Sequence, residues 1–232
     1  MKLSAELLGE LDSALNPLKE RELDLRGLKI AVIENLGATR DQNDCLDLTD
    51  NEIKFLGNFP RLSRLGALLL ANNLVSRIDP RLYQQLPNLR SLVLSNNAVH
   101  EFRQVVPLRK MRRLEYLSLL GNPIAREKHY REFVLWRIPS VRVLDYQRVS
   151  EKERAYARTL FETPDGRPTE LAVHMSGTSS APHPSKAPSA APGRLLTAEE
   201  RASIADAIER STSLEEVRRL EERLKLGYLP HA

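Results

Sequence analysis

Four asparagines stand at matching places along this chain. Asn51, Asn73, Asn97 and Asn122 each follow one leucine by five residues and a second by three. A side-chain amide carries two donors and an acceptor with two lone pairs. Buried, it can satisfy backbone groups that a turn leaves facing inward and so link one turn of chain to the next. That is structural chemistry. The residue types that catalyse are present without a constellation. The five histidines (His100, His129, His174, His183, His231) have no metal-ligand spacing, and there is no Gly-rich phosphate loop or G-x-S-x-G. Gly121-Asn122-Pro123 reads as a turn between repeats, not a nucleotide loop. The one cysteine, Cys45, allows neither an internal disulfide framework nor a Cys-based zinc site and points to a reducing compartment. The expectation is a protein that is not an enzyme, with no cofactor, no metal and no small-molecule substrate.

The elements that position the asparagines come from the repeat around them. The pattern L-x-L-x-x-N-x-L/I/V runs from Leu46 to Ile53, Leu68 to Val75, Leu92 to Val99 and Leu117 to Ile124, with starts 22, 24 and 25 residues apart. Those intervals lie inside the roughly 20–29 residues of leucine-rich repeats. Alternating leucines place a short strand with its apolar side chains in the core. Two flanking units are degenerate. Leu23-x-Leu25-x-x-Leu28-x-Ile30 has a leucine in the asparagine slot, and Val141-x-x-Leu144-x-Tyr146 has Val149 there. Both lose the asparagine because an outermost coil has a neighbour on one side only. The expected fold class is an α/β repeat: a leucine-rich-repeat solenoid with about six parallel strands, helical caps at both ends and a separate C-terminal pair of helices.

Solenoid ends expose core and need lids. Residues 4–16 read as an amphipathic helix, with Leu7, Leu8, Leu11 and Leu15 on one stripe and Pro17 as its stop. At the other end Tyr130, Phe133, Val134 and Trp136 precede Pro139. Phe133 and Trp136 read as cap packing rather than a ligand cage. Ser150-Glu151-Lys152-Glu153 is a capping-box start for a helix to about Phe161. The domain reading is a helical cap over 1–20, the solenoid with its C-terminal cap over 21–162, and a Pro/Ser/Ala-rich disordered linker over 163–194. A helical segment over 195–232 follows, with capping boxes at Thr197 and Ser213 opening its two helices.

Net charge is +4, from 35 Lys and Arg against 31 Asp and Glu. That fits a member of a nucleic-acid complex but is too small for independent phosphate-driven binding. No stretch approaches the roughly 20 apolar residues of a membrane span. The start, Met1 to Glu6, is too acidic and too poor in apolar residues for a secretory signal. A soluble protein inside the cell is expected.

Function is sought on the concave face, where the residues flanking and between the paired leucines point away from the core. In order they are Glu22, Asp24, Arg26; Cys45, Asp47, Thr49; Ala67, Leu69, Ala71; Ser91, Val93, Ser95; Tyr116, Ser118, Leu120; and Val143, Asp145, Gln147. The middle is small and apolar, with Leu69, Val93 and Leu120 in a row, and the first coils carry Glu22, Asp24 and Asp47. A contiguous apolar row rimmed by charge suggests a site for an inserted helix, and the acidic rim would select a basic one. Glu22, Asp24, Asp47, Thr49, Leu69, Ala71, Val93, Ser95, Tyr116, Ser118 and Leu120 are the candidate partner residues. Cations cluster twice, as Lys19, Arg21, Arg26 and Lys29 near the first coil and as Arg148, Lys152, Arg154 and Arg158 near the last. The run Arg109-Lys110-Met111-Arg112-Arg113 reads as a solvated convex face.

The run from Arg21 to Asp44, RELDLRGLKIAVIENLGATRDQND, resembles the first-repeat signature of the A-prime proteins of the spliceosomal U2 small nuclear ribonucleoprotein. Asp47-x-Thr49-Asp50-Asn51-Glu52-Ile53, the cap stretch Lys128-His129-Tyr130-Arg131 and Pro139-x-Val141-Arg142-Val143-Leu144-Asp145 are similar too. The resemblance covers roughly residues 1–162, and the tail from Ser211 to Leu220 matches a shorter segment. It implies a nuclear scaffold whose concave face holds a helix of an RNA-recognition-motif partner of the B-double-prime type. The pair would then bind a stem-loop of U2 small nuclear RNA. Carried over by position, Arg21, Arg26, Lys29, Arg148 and Lys152 become the candidate RNA contacts. Ser150 stands where a basic residue is expected in animal members, which weakens the contact at the C-terminal end. The C-terminal helices could engage other splicing factors. The alternative is a leucine-rich-repeat adaptor for a phosphatase, a cytoskeletal motor or a chromatin factor, without RNA.

Overall fold

The computed structural model describes residues 2–177. The stretch from 178 onward, which carries most of the expected linker and both expected C-terminal helices, lies outside the described residues. In chain order the first strands are β1 (Ser13–Leu15), β2 (Arg21–Asp24), β3 (Cys45–Asp47), β4 (Phe55–Leu56) and β5 (Ala67–Leu69). They continue as β6 (Arg77–Ile78), β7 (Ser91–Val93), β8 (Tyr116–Ser118), β9 (Val143–Leu144) and β10 (Gln147–Arg148). The main sheet has the order β1-β2-β3-β5-β7-β8-β9-β10, and β4 and β6 form a second, two-stranded sheet. From β2 to β9 every neighbouring pair is parallel, with Leu23, Leu46, Leu68, Leu92, Leu117 and Leu144 in one register. Six parallel strands therefore stand where the repeat places them, and the two end strands are antiparallel additions.

Each asparagine reaches back one coil. Asn73 Nδ2 donates to Leu48 O of the preceding coil (2.9 Å) and to Leu70 O of its own (3.2 Å), while its Oδ1 accepts from Ile53 N at 3.0 Å. Asn51, Asn97 and Asn122 repeat that set against Leu25, Leu70 and Leu94. The direction corrects part of the expectation. Leu28 replaces the asparagine in the first coil because no coil precedes it. The last coil does have a predecessor, so the one-sided-neighbour reason does not cover Val149. There the strand turns back through Asp145 and Tyr146, both in the left-handed region. Asp145 Oδ1 takes the Leu119 N–H at 2.7 Å, a donor that in earlier coils meets the next strand's carbonyl.

A second polar chain runs beside the buried one. Asn96 Nδ2 donates to Asn72 Oδ1 (2.8 Å) and Asn72 Nδ2 to Asp50 Oδ1 (2.7 Å), all on the exposed side. Asp50, Asn72, Asn96 and Gly121 hold the equivalent left-handed turn of successive coils, with φ between 55° and 73°. Short polar residues and glycine tolerate it best. At Gly121 the approach is also close: a Cβ would meet Asn96 Oδ1 at 2.0 Å.

The two lids differ from each other. The expected N-terminal helix over 4–16 is shorter: α1 spans Ala5–Glu10, with Ser4 accepting from Leu7 N. The chain then forms β1, antiparallel to β2, because pairing the first coil's open edge satisfies more backbone than a further helical turn would. Leu15 consequently leaves the apolar stripe and is exposed. The outer side of the coils carries the short helices α2 (Leu82–Gln85) and α3 (Phe102–Val105). At the far end α4 (Tyr130–Arg137) and α5 (Glu151–Phe161) close the core. The Ser150 capping box is formed, with Ser150 Oγ accepting from Glu153 N at 3.3 Å and Glu153 Oε2 accepting from Ser150 N at 2.7 Å. Phe133 is fully buried between Phe102 and Phe161, ring centroids 4.7 and 5.6 Å away. The disordered linker expected over 163–194 does not describe residues 163–177, which are folded. A turn at Gly166 leads into α6 (Glu170–Ser176), capped by Thr169 and ended at Gly177. Ala172 is fully buried against the cap, which is why that turn and helix hold despite their Pro and Gly content.

Candidate functional site

The register sets the outward-facing side chains in rows across the strands. The first row is Glu22, Cys45, Ala67, Ser91, Tyr116 and Val143; the second is Asp24, Asp47, Leu69, Val93 and Ser118. Together with the residues just before the strands, part of this face lines an open groove of about 900 Å3. Along the coils the chemistry is graded. Charged groups stand over β2 and β3, small and aliphatic ones over β5 and β7, and an aromatic and a leucine over β8. Leu69, Val93, Ala71 and Ser95 are half-buried. Tyr116 and Leu120 project further, 53% and 43% exposed.

Several candidate partner residues are already engaged within the chain. Asp47 is buried, and its Oδ1 accepts from Thr49 N at 2.9 Å, which also fixes Thr49. Ser118 is buried and shares a hydrogen bond with Ser95 Oγ at 2.8 Å. Glu22 Oε2 accepts from Asn16 Nδ2 at 3.0 Å. Asp24 is gripped by Arg26 at 2.6 Å, and that guanidinium holds the carboxyl below the usual carboxylate range. Arg26 also lies 3.6 Å from Asp47. Cys45 is buried beneath this cluster, and burial followed by the neighbouring Glu22 pushes its thiol pKa up, so it is no nucleophile. Asp145 is likewise not a groove residue in its chemistry, since its two oxygens accept from Leu119 N and the Tyr130 hydroxyl.

The acidic rim is therefore offset. Residues that sequence reasoning missed complete the balance: Arg64, Arg90 and Arg113 line the groove with Asp44 and Glu115. They sit one (Arg90) or three (Arg64, Arg113) positions before the first outward residue of a strand, two columns the leucine pattern leaves unmarked. Arg64 is tied to Asp44 at 2.7 Å. The run Arg109 to Arg113, expected as a uniform solvated face, is divided. Arg113 stands on the groove, Lys110 Nζ lies 4.9 Å from the centre of the Tyr83 ring, and Arg109 turns toward the C-terminal cap.

The candidate RNA contacts are exposed but form two groups. Arg21, Arg26 and Lys29 belong to the first coil; Arg148 is in β10 and Lys152 in α5. Six strand-to-strand steps separate β2 from β10, which at about 4.8 Å per step is roughly 30 Å. No single phosphate could meet both groups. Among the described residues no cluster of His, Cys, Asp and Glu could hold a metal ion, and no helix is long and apolar enough to cross a membrane.

Comparison with known proteins follows the same division. A family profile described as "Leucine-rich repeat" matches residues 1–174. The chain is 55% identical over 244 residues to the U2 small nuclear ribonucleoprotein A' of Mycosarcoma maydis, covering 98% of this chain and 99% of that one. It is 41% identical over 239 residues to the protein of that name from Schizosaccharomyces pombe, covering 99% and 100%. Among solved structures it is similar to a crystal structure of the Drosophila melanogaster SNF/U2A' complex, with a TM-score of 0.69 and 44% identity over 72% of this chain and 95% of that one.

Proposed function

The chain belongs to the U2 small nuclear ribonucleoprotein A' family of leucine-rich-repeat proteins, and from that premise we propose how its groove does the family's work. It is a non-catalytic subunit of the U2 particle in the spliceosome. Its groove takes one helix of an RNA-recognition-motif protein of the B-double-prime type, and the joined pair binds a stem-loop of U2 small nuclear RNA in the nucleus. The observation that carries this reading is the graded face over β5, β7 and β8. Ala67, Ala71, Ser91 and Ser95 leave room at the centre, while half-buried Leu69 and Val93 and exposed Tyr116 and Leu120 offer apolar surface. A helix seated there buries its apolar stripe against that row. The solved Drosophila complex, in which a U2A' protein is crystallised with SNF, supports assigning that space to a protein.

The balanced rim changes the expected selectivity. Arg26 pairs with Asp24, and Arg64, Arg90 and Arg113 offset carboxylates along the groove, so the groove selects a helix by shape and apolar content more than by positive charge. RNA contact is then an edge effect. Arg21, Arg26 and Lys29 at one end, or Arg148 and Lys152 at the other, meet phosphate only once the partner sets the duplex in place. Holding the partner helix reduces the ordering cost of RNA binding, which couples the two events.

The test is capture of the full chain from nuclear extract, followed by protein identification and RNA sequencing. Co-enrichment of U2 RNA with an RNA-recognition-motif protein is the expected result. A catalogue of phosphatase, motor or chromatin proteins without U2 RNA would overturn the reading.

A further inference from the structure

The C-terminal cap holds a recess that the groove does not use. About 360 Å3 in volume, it is lined by Arg109, Arg137, Arg154 and Arg158, with Trp136 on its wall and Glu162 as its one carboxylate. The lining comes from the outer loop before β8, from α4 and the turn after it, and from α5 and the loop that leads to α6, and none from the strands. Four guanidiniums therefore converge on one recess with a single acid among its lining residues.

Their bonding shows how little of that charge is answered. Glu162 Oε1 is occupied by Trp136 Nε1–H at 2.9 Å. Arg154 is fixed by donating to the carbonyls of Pro139 and Val141, which satisfies hydrogen bonds but not charge. Arg137 stacks over the Trp136 ring, its guanidinium carbon 5.5 Å from the centroid, and its Nε–H is buried without a partner. Neither Arg109 nor Arg158 has an ion pair among the described residues. Burial first, then repulsion from Arg109, pushes the pKa of Arg137 below the usual guanidinium value. A bound anion would relieve both costs, and among the described residues lining the recess Glu162 is the one carboxylate.

We propose that this arginine recess binds a phosphorylated serine or threonine side chain of a protein partner. A tetrahedral dianion matches several guanidinium forks at once, each able to give paired N–H donors. The recess favours a peptide over RNA for two reasons. It is a pocket for one group rather than a raised row of cations that could track a duplex backbone. Leu135, Pro139 and Pro168 also give it apolar walls, suited to the carbon stem and flanking chain of a peptide.

Trp136 is the sole tryptophan of the chain, so its fluorescence reports on the recess directly. The full chain is titrated with a five-residue peptide bearing one central phosphoserine, with its unphosphorylated twin, with inorganic phosphate, and with a short RNA duplex at equal phosphate concentration, all at constant ionic strength. The phosphopeptide should give a saturable change and the twin none. Inorganic phosphate should compete with the phosphopeptide. Binding should weaken on moving from pH 7.5 to 5.5, as the phosphate gains its second proton near a pKa of about 6. The doubly substituted Arg109→Gln/Arg158→Gln chain, altered at exposed positions and checked for unchanged circular dichroism, should bind about tenfold or more weakly. The doubly substituted Arg148→Gln/Lys152→Gln chain should bind as the parent does. An unsaturable signal, or one that survives loss of Arg109 and Arg158, would overturn the site. Displacement of the phosphopeptide by the duplex at lower phosphate concentration would make the recess an RNA contact and overturn the peptide assignment.

Discussion

Leu92 and Val93 are neighbours in β7 and belong to different problems. Leu92 is wholly buried in register with five other leucines; Val93 is half-exposed, between Leu69 and Ser118 on the groove side. The same alternation runs through every coil, so the residues that hold the solenoid together and those proposed to meet a partner are one position apart. It recurs in the turns. Asn97 is buried and bonded to four backbone groups, whereas Asn96, one residue earlier, is exposed and bonded to Asn72. Burial, not residue type, decides what each contributes. A satisfied amide in the core replaces water it cannot reach, while an exposed one merely exchanges one partner for another.

Substitution on either side of that one-residue divide should give very unequal losses. Leu92→Ala should cost about 4 kcal/mol, from lost transfer energy and the cavity left behind. Urea unfolding measures it, and a loss below about 1 kcal/mol would break the contrast. Asn97→Ala strands the Val75 N–H and leaves the carbonyls of Leu70 and Leu94 with one side-chain donor each, from Asn73 and Asn122, and should cost about 2 kcal/mol. Asn96→Ala should cost under about 1 kcal/mol in the same assay.

The smallest effect expected is that of Glu153 at the C-terminal cap. The Arg131 guanidinium first, and the Ser150 N–H after it, lower its pKa to about 2. A depressed carboxylate contributes stability above its unfolded value and loses it as pH falls toward the folded one. Its contribution should be constant from pH 7 to 5.5 and fade between about 4.5 and 2. Glu153→Gln should flatten the acid limb of a melting-temperature profile by a small amount, since the pair is partly solvated.

Much of this division is legible in the residues themselves. The leucine period places all six parallel strands, and the asparagine slot names the buried ladder, because both depend on side chains that must be apolar or must satisfy backbone. The Ser150 box locates α5 to its last residue. Other features depend on what the coil's open ends do and leave no periodic mark. Residues 13–15 become a strand because an unpaired edge is available, although Leu11 and Leu15 fit a helical stripe. Asp47 and Ser118 sit at outward positions yet are covered by neighbours in adjacent coils, which no single strand reveals. Arg64, Arg90 and Arg113 precede the strands at positions where the repeat demands nothing, so their place on the groove emerges only in three dimensions.

The central claim is that the graded face over β5, β7 and β8 is the partner site, and affinity for the partner protein with the fold held constant tests it most directly. Leu69→Arg and Val93→Asp, compared with the parent by titration against the purified RNA-recognition-motif protein, should each weaken capture by about a hundredfold or more. The melting temperature should stay within about 3 °C of the parent. Unchanged affinity in both substituted chains would contradict the assignment of the groove.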